Sequence, residues 1–135
     1  KAIKNDIYLR PLSRKESVTV MMSTLMEHYG RTNQQKRRIA LADLILKFNA
    51  KDVVAMQHIG AANYLLLQEQ FMRPYPDANK IPQEKCAEFK RLSAENLRWY
   101  AKAETLGWVP TTPKQDAEYL STIRKEKAKQ QGERK

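Results

Sequence analysis

The sequence predicts an all-α protein of about five helices, and three observations support that class. Apolar residues recur at steps of three and four along most of the chain, which is the period of one helix face. Serine, asparagine, aspartate, proline and glycine stand where these apolar stretches begin and end, as helix caps and stops do. Outside Ile7 to Leu9, the sequence lacks the apolar–polar alternation that marks a strand. The 135 residues suffice for one domain with tails.

Two helices are predicted in the first part of the chain. Ser13 can cap one over about residues 14–29, because Glu16 stands at the capping-box spacing. Gly30 suits a left-handed helix end, and Asn33 can cap a second helix. The apolar stripe of the first helix comprises Val18, Met21, Met22, Leu25, Met26 and Tyr29, and that of the second comprises Leu41, Leu44, Ile45 and Phe48.

A third helix, capped by Asp52 and ending near residue 71, is apolar almost all round. A helix of that kind is usually covered on several sides. Three small residues at 60–62 leave room for another helix to approach closely. Two prolines then predict a loop over residues 72–81.

The last part of the chain predicts two more helices. The fourth begins at Pro82 and ends before Gly107, and a fifth begins at about Lys114. Beyond residue 123 the chain is basic and almost free of residues that can be buried. The predicted organisation is an extended lead-in over residues 1–13, a helical-repeat domain over 14–123 and a disordered basic tail over 124–135.

Reactive side chains are few and scattered, so no catalytic site is predicted. His28 and His58 are the two histidines, and neither stands at a metal-binding spacing. Cys86 is the single cysteine, which excludes an internal disulfide and favours a small core residue over a reactive thiol. The four glycines form no phosphate-binding loop. The sequence therefore predicts a protein that is not an enzyme and holds no metal or cofactor.

Two predicted helix pairs start about 34 residues apart, and their apolar positions correspond. The shared pattern is carried by Met22, Leu25 and Tyr29 in the first unit and by Met56, Ile59, Gly60 and, one step late, Tyr64 in the second. Over residues 19–71 the chain resembles the tetratricopeptide repeat (TPR) family. The first unit departs from the family pattern at Arg38, Ala42, Ile45 and Ala50. The resemblance implies antiparallel helix pairs stacked in a right-handed superhelix.

In a TPR-like array the first helix of each pair lines a concave groove. The resemblance implies groove-facing residues on the first and third helices: Val20, Ser23, Glu27, Gly30 and Arg31, then Val54, Gln57, Ala61, Tyr64 and Leu65. The predicted partner contacts among them are Glu27, Arg31, Gln57, Ala61 and Tyr64. An apolar floor with polar hooks suits an extended or helical peptide. The predicted function is therefore a non-catalytic interaction or scaffolding module that binds a peptide or partner protein.

The net charge of +10 supports an alternative function. A basic patch surrounds the first turn between helices and comprises Arg31, Lys36, Arg37 and Arg38. Such a patch would make phosphate contacts in a helical nucleic-acid-binding or ribonucleoprotein component. A third interpretation is a non-catalytic tail of a larger enzyme, because the chain begins with Lys1 rather than Met.

No apolar run approaches the roughly 20 residues that span a bilayer, so no transmembrane segment is expected. The compartment, cytoplasm or periplasm, and the oligomeric state stay open.

Overall fold

Four α-helices follow one another along the described part of the chain. The computed structural model describes residues 4–5, 11–110, 112, 114, 117 and 121. The helices are α1 (Arg14–Arg31), α2 (Gln35–Phe48), α3 (Val53–Leu67) and α4 (Cys86–Leu106). Within those residues there is no strand, so the predicted all-α class is confirmed.

The start of α1 is fixed by the predicted capping box. The Ser13 hydroxyl accepts a hydrogen bond from the Glu16 amide at 3.2 Å, and the Glu16 carboxylate accepts one from the Ser13 amide at 2.8 Å. The helix does not end at Gly30, as predicted, but continues to Arg31. The left-handed conformation falls instead on Asn33, whose φ is 55°.

The start of α2 also differs from the prediction. The capping position is Gln34, which makes no side-chain capping bond, and Asn33 is one residue too early. The Asn33 side-chain oxygen instead accepts a hydrogen bond from Nε2 of the Gln35 side chain at 3.2 Å. Asn33 is thus a left-handed residue of the turn and not a helix cap. Asparagine tolerates the left-handed conformation well.

The predicted caps of α3 and α4 are confirmed, but α4 begins at a later residue than predicted. The Asp52 carboxylate accepts a hydrogen bond from the Ala55 amide at 2.9 Å, as predicted, and a π-helical turn over Gln68–Met72 prolongs α3. The predicted loop follows, with short 3-10 turns at Ala78–Lys80 and Gln83–Lys85. Helix α4 begins at Cys86 and not at Pro82, since the proline initiates the second 3-10 turn. Gly107 ends α4 with a φ of 106°, the predicted left-handed stop.

The described residues hold four α-helices, one fewer than the predicted five. Lys114, Ala117 and Ser121 are helical, but most of the predicted fifth helix lies outside the described residues. The tail over 124–135 and most of the lead-in over 1–13 lie outside them as well.

Each helix packs mainly on the next one in the chain. Connections of a few residues, 32–34 and 49–52, make α1 with α2 and α2 with α3 antiparallel neighbours. The largest interface joins α3 to α4, and α1 touches α3 only lightly. Helix α3 is therefore covered from two sides, as its nearly continuous apolar sequence predicts.

The core is divided into three clusters along this succession. One joins α1, α2 and α3 through Met26, Ala42, Ile45, Ala55 and Ile59. The second joins α3 and its π turn to α4 through Leu66, Leu67, Phe71 and Leu92. The third joins the start of α3 to the end of α4 through Val53, Met56 and Ala103. Trp99 packs against the first and third clusters and so connects them.

The beginning of the chain is tied to the far end of the array. The Asn5 side-chain amide donates a hydrogen bond to the Leu106 carbonyl at 2.9 Å. The Lys51 ammonium donates one to the Asn5 carbonyl at 3.0 Å.

Candidate partner-binding site

A polar cluster forms where α1, α2 and α3 meet. Arg38, in the first turn of α2, donates a hydrogen bond from Nε to Nδ1 of His58 on α3 at 2.7 Å. Its Nη1 lies 3.4 Å from the side-chain oxygen of Gln35. On the α1 side, a Cβ at Gly30 would lie 3.2 Å from Arg38 Cζ. The glycine that failed to end α1 therefore lets the guanidinium lie close to that helix.

The Arg38 hydrogen bond determines the protonation of His58. Because Arg38 donates to Nδ1, that nitrogen carries no proton, and the neutral imidazole holds its proton on Nε2. Burial and, to a smaller extent, the positive charge of Arg38 lower the pKa of His58 from 6.5 to about 4, against the Glu27 carboxylate, which raises it. His58 is thus a neutral side chain with a hydrogen-bond donor on Nε2 throughout the physiological range.

The opposite side of α3 is closed by α4. A Cβ at Gly60 would lie 2.8 Å from Cε2 of Tyr100, so only glycine allows this contact. The Asn96 amide group donates a hydrogen bond to the Gly60 carbonyl at 2.9 Å. Tyr100 in turn stacks on Trp108 with a centroid distance of 5.8 Å, and burial raises the pKa of its hydroxyl. The predicted close approach of another helix is confirmed at Gly60, whereas Ala61 is half-buried on a different side of α3.

The predicted contacts on α3 share one strip of its surface. We call the α3 strip the five residues Val54, Gln57, Ala61, Tyr64 and Leu65, which are exposed or half-buried. Tyr64 is 42% exposed, and its hydroxyl accepts a hydrogen bond from the Gln68 side chain at 3.0 Å. Most other residues of α3 are buried, so this strip is the most exposed part of the helix.

The two predicted partner contacts on α1 lie in different surroundings. Glu27 is exposed and acts electrostatically on both Arg38 and His58, which places it beside the polar cluster. Arg31 is exposed at the end of α1, in the predicted basic patch. His58 was missed as a site residue, because a single histidine gives no sequence signal for a partner 20 positions away.

The four members of the predicted basic patch do not all share one environment. Arg31, Lys36 and Arg37 are exposed, whereas Arg38 is half-buried and directed to His58. Lys36 and Arg37 line a cavity of about 460 Å³, together with acidic and neutral residues that include Glu69 and Gln70. Lys36 also helps to lower the pKa of Glu88 on α4. Acidic groups therefore lie among the exposed cations.

Metal-ligating groups and the single cysteine are the remaining reactive side chains. The described residues contain no group of three histidine, cysteine or acidic side chains placed to hold a metal ion. Cys86 is half-buried, with Sγ 3.5 Å from the Pro82 carbonyl oxygen. No helix among the described residues has the length and apolar character needed to cross a membrane.

Comparisons with protein-family models, with curated proteins and with solved structures find no match for this chain. The TPR resemblance therefore stays a prediction from the repeat pattern alone.

Proposed function

We propose that this chain is a non-catalytic interaction module that binds a peptide or partner protein along the α3 strip. The observation that carries the proposal is the contrast within α3, a helix buried between two neighbours except on this one strip. The strip presents an aromatic ring and aliphatic groups beside a side-chain amide. That mixture suits a bound peptide, whose apolar side chains and backbone amides both need partners.

The polar cluster supplies fixed hydrogen-bonding groups at the edge of this strip. Arg38 is held by His58 and by the close approach of α1, so little side-chain freedom remains to be lost on binding. His58 offers an N–H donor, and Glu27 offers an acceptor of opposite charge to Arg38. A peptide backbone carries both carbonyl acceptors and amide donors, so the cluster can orient it as well as attract it.

The proposal is tested with a random peptide library displayed on phage and selected on the intact chain. Tyr64→Ala should weaken the binding of the selected peptides by about 1 kcal/mol or more, as the loss of an aromatic contact residue does. Leu97→Ala is the matched control, because Leu97 is 66% exposed on α4 and lies outside the strip. Selected peptides that bind both Tyr64→Ala and Gln57→Ala with unchanged affinity would contradict the proposal.

The exposed cations Arg31, Lys36 and Arg37 favour a second candidate, a nucleic-acid-binding function. It predicts binding to mixed RNA or DNA with a log–log salt slope of roughly −0.7 to −0.9 per phosphate contact. Lys36→Gln combined with Arg37→Gln should then flatten that slope, while Tyr64→Ala should have no effect. The acidic groups beside Lys36 make this candidate the weaker of the two.

A further inference from the structure

A second surface of the molecule, on the hairpin of α1 and α2, carries uncovered apolar side chains. Val18, Met21, Met22 and Leu25 follow the i, i+3, i+4, i+7 spacing along one side of α1. Leu44 and Phe48 extend this surface onto α2. Val18, Met21, Leu25, Leu44 and Phe48 are all exposed, and Met21 reaches 75%. We call these six residues the hairpin face.

The hairpin face contains a groove rather than a flat patch. A cavity of about 290 Å³ lies between α1 and α2, lined by Lys15, Val18, Thr19, Met22, Leu44 and Phe48. Four of these six side chains are apolar. A groove between two packed helices receives the ridge of side chains of a third helix. Methionine side chains at its border adapt easily to different partners.

The charges around this groove are basic. Lys15 lines the cavity, and Arg14 stands one turn before Val18; both cations are exposed. Lys47 is exposed on α2 as well, but it does not line the cavity and acts on the carboxylate of Asp43. A partner that covers the apolar groove must therefore meet positive charge at its border.

The acidic residues of the hairpin are directed elsewhere. Glu16 accepts the capping hydrogen bond from the Ser13 amide, and Glu27 acts on the Arg38–His58 cluster. Asp43 is the acidic residue of α2; burial and Glu95 of α4 raise its pKa, while Lys47 and Arg98 of α4 lower it, so Asp43 lies on the α4 side and faces Lys47. Among the residues of α1 and α2, Arg14 and Lys15 thus give the groove a cationic border on which no carboxylate of these two helices is directed.

We propose that the hairpin face is a docking site for an acidic amphipathic α-helix of a partner protein. The spacing on α1 and the groove beside α2 fit the apolar side of a helix, and the cations fit carboxylates along its edges. A second copy of this chain is disfavoured as occupant, because it would bring the same cations, Arg14 and Lys15, together. This inference goes beyond the proposed function, since it concerns residues that the α3 strip does not include.

The test measures binding of a fluorescent synthetic peptide to the intact chain by anisotropy. The peptide has leucines at helical spacing flanked by glutamates, and a second peptide carries glutamines in place of the glutamates. The acidic peptide should bind about 5-fold or more tightly than the neutral one at low salt, and high salt should remove that difference.

Variants of the face locate the site. Phe48→Ala and Met21→Gln should each lower the affinity for the acidic peptide, and Phe48→Ala should lower it by about 5-fold or more. Met21 is so exposed that its replacement leaves the fold intact, which keeps the test valid if Phe48→Ala is unstable. Leu97→Gln on α4 is the apolar control. Lys15→Gln should weaken binding at low salt, whereas Lys90→Gln on α4 should not.

Three results would overturn the inference. One is no measurable binding of the acidic peptide to the intact chain. The second is binding that Tyr64→Ala abolishes and Phe48→Ala leaves unchanged, which would assign it to the α3 strip and leave the proposed function standing. The third is a dimer, seen by sedimentation, that Phe48→Ala dissociates, since the face would then be covered by a second copy.

Discussion

The interface of α3 with α4 and the hairpin of α1 with α2 contain similar apolar residues but are closed to different degrees. Helix α3 lies between two helices, and nine of its residues are buried. Helix α1 has one main neighbour, and only two of its residues, Thr19 and Met26, are buried. The difference shows that apolar spacing determines where a helix forms, while the number of neighbouring helices determines how much of its apolar surface is covered.

Matched leucine truncations should give the largest difference between the two regions. Leu92→Ala, in α4, removes a side chain with no exposed surface and should destabilise the protein by about 2–5 kcal/mol. Leu25→Ala, in α1, removes a side chain that is 42% exposed and should cost less than about 1 kcal/mol. Urea unfolding followed by circular dichroism measures both. Equal losses would mean that α1 is covered in solution.

Matched glycine substitutions sharpen the comparison at the level of single contacts. Gly60→Ala should destabilise the protein by about 1–3 kcal/mol, because the added carbon would meet the Tyr100 ring at 2.8 Å. Gly30→Ala meets the end of the flexible Arg38 side chain at 3.2 Å. Its effect should stay within about 1 kcal/mol and be close to neutral or stabilising, because alanine favours the helix.

Thermal unfolding of the two glycine variants at one pH is the measurement. A larger loss in Gly30→Ala than in Gly60→Ala would show that the hairpin is packed more tightly than the α3–α4 interface.

The smallest expected effect is a pH dependence at His58, where the hairpin meets α3. Its pKa is lowered from 6.5 to about 4 in the folded chain, so the unfolded chain binds more protons between those values. Stability is therefore full above pH 6.5 and falls as the pH drops through this window. The loss should be about 1 kcal/mol, since solvent screens this half-buried group.

His58→Gln should remove this part of the pH dependence, while His28→Gln controls for replacing an exposed histidine. Urea unfolding at several pH values between 4 and 7 measures the stability of the parent chain and of both variants. Because the carboxylates titrate in all three proteins, the difference between the profiles isolates the histidine. A His58→Gln profile parallel to that of the parent chain would exclude His58 as the source.

Local signals in the sequence predicted much of the fold. Ser13 with Glu16, Asp52 and Gly107 act at the ends of helices as their spacing predicts, because caps depend on residues within one turn. The predictions that α1 ends at Gly30 and that α4 begins at Pro82 were wrong, the first because a contact with α2 is invisible to local sequence and the second because a short turn precedes the helix. Gly30 receives the Arg38 guanidinium, and Pro82 starts a 3-10 turn.

The candidate site was less predictable than the fold. The spacing of Gln57, Ala61 and Tyr64 on one side of α3 follows from the helical period alone. The predicted basic patch, by contrast, included Arg38 because it follows Lys36 and Arg37 in the sequence. Successive residues of a helix point in different directions, so that prediction did not hold for Arg38. The Arg38–His58 pair joins two helices, so only their packing reveals it.

The hydrogen bond from Asn5 to the Leu106 carbonyl has a consequence for how the chain unfolds. Arrays in which each helix contacts only its neighbours lose structure piecemeal from their ends. Here two residues 101 positions apart are joined, and Lys51 holds the same segment from the middle of the chain. Opening of the last turn of α4 therefore breaks a contact of Asn5 as well, which links residues from opposite ends of an otherwise sequential assembly.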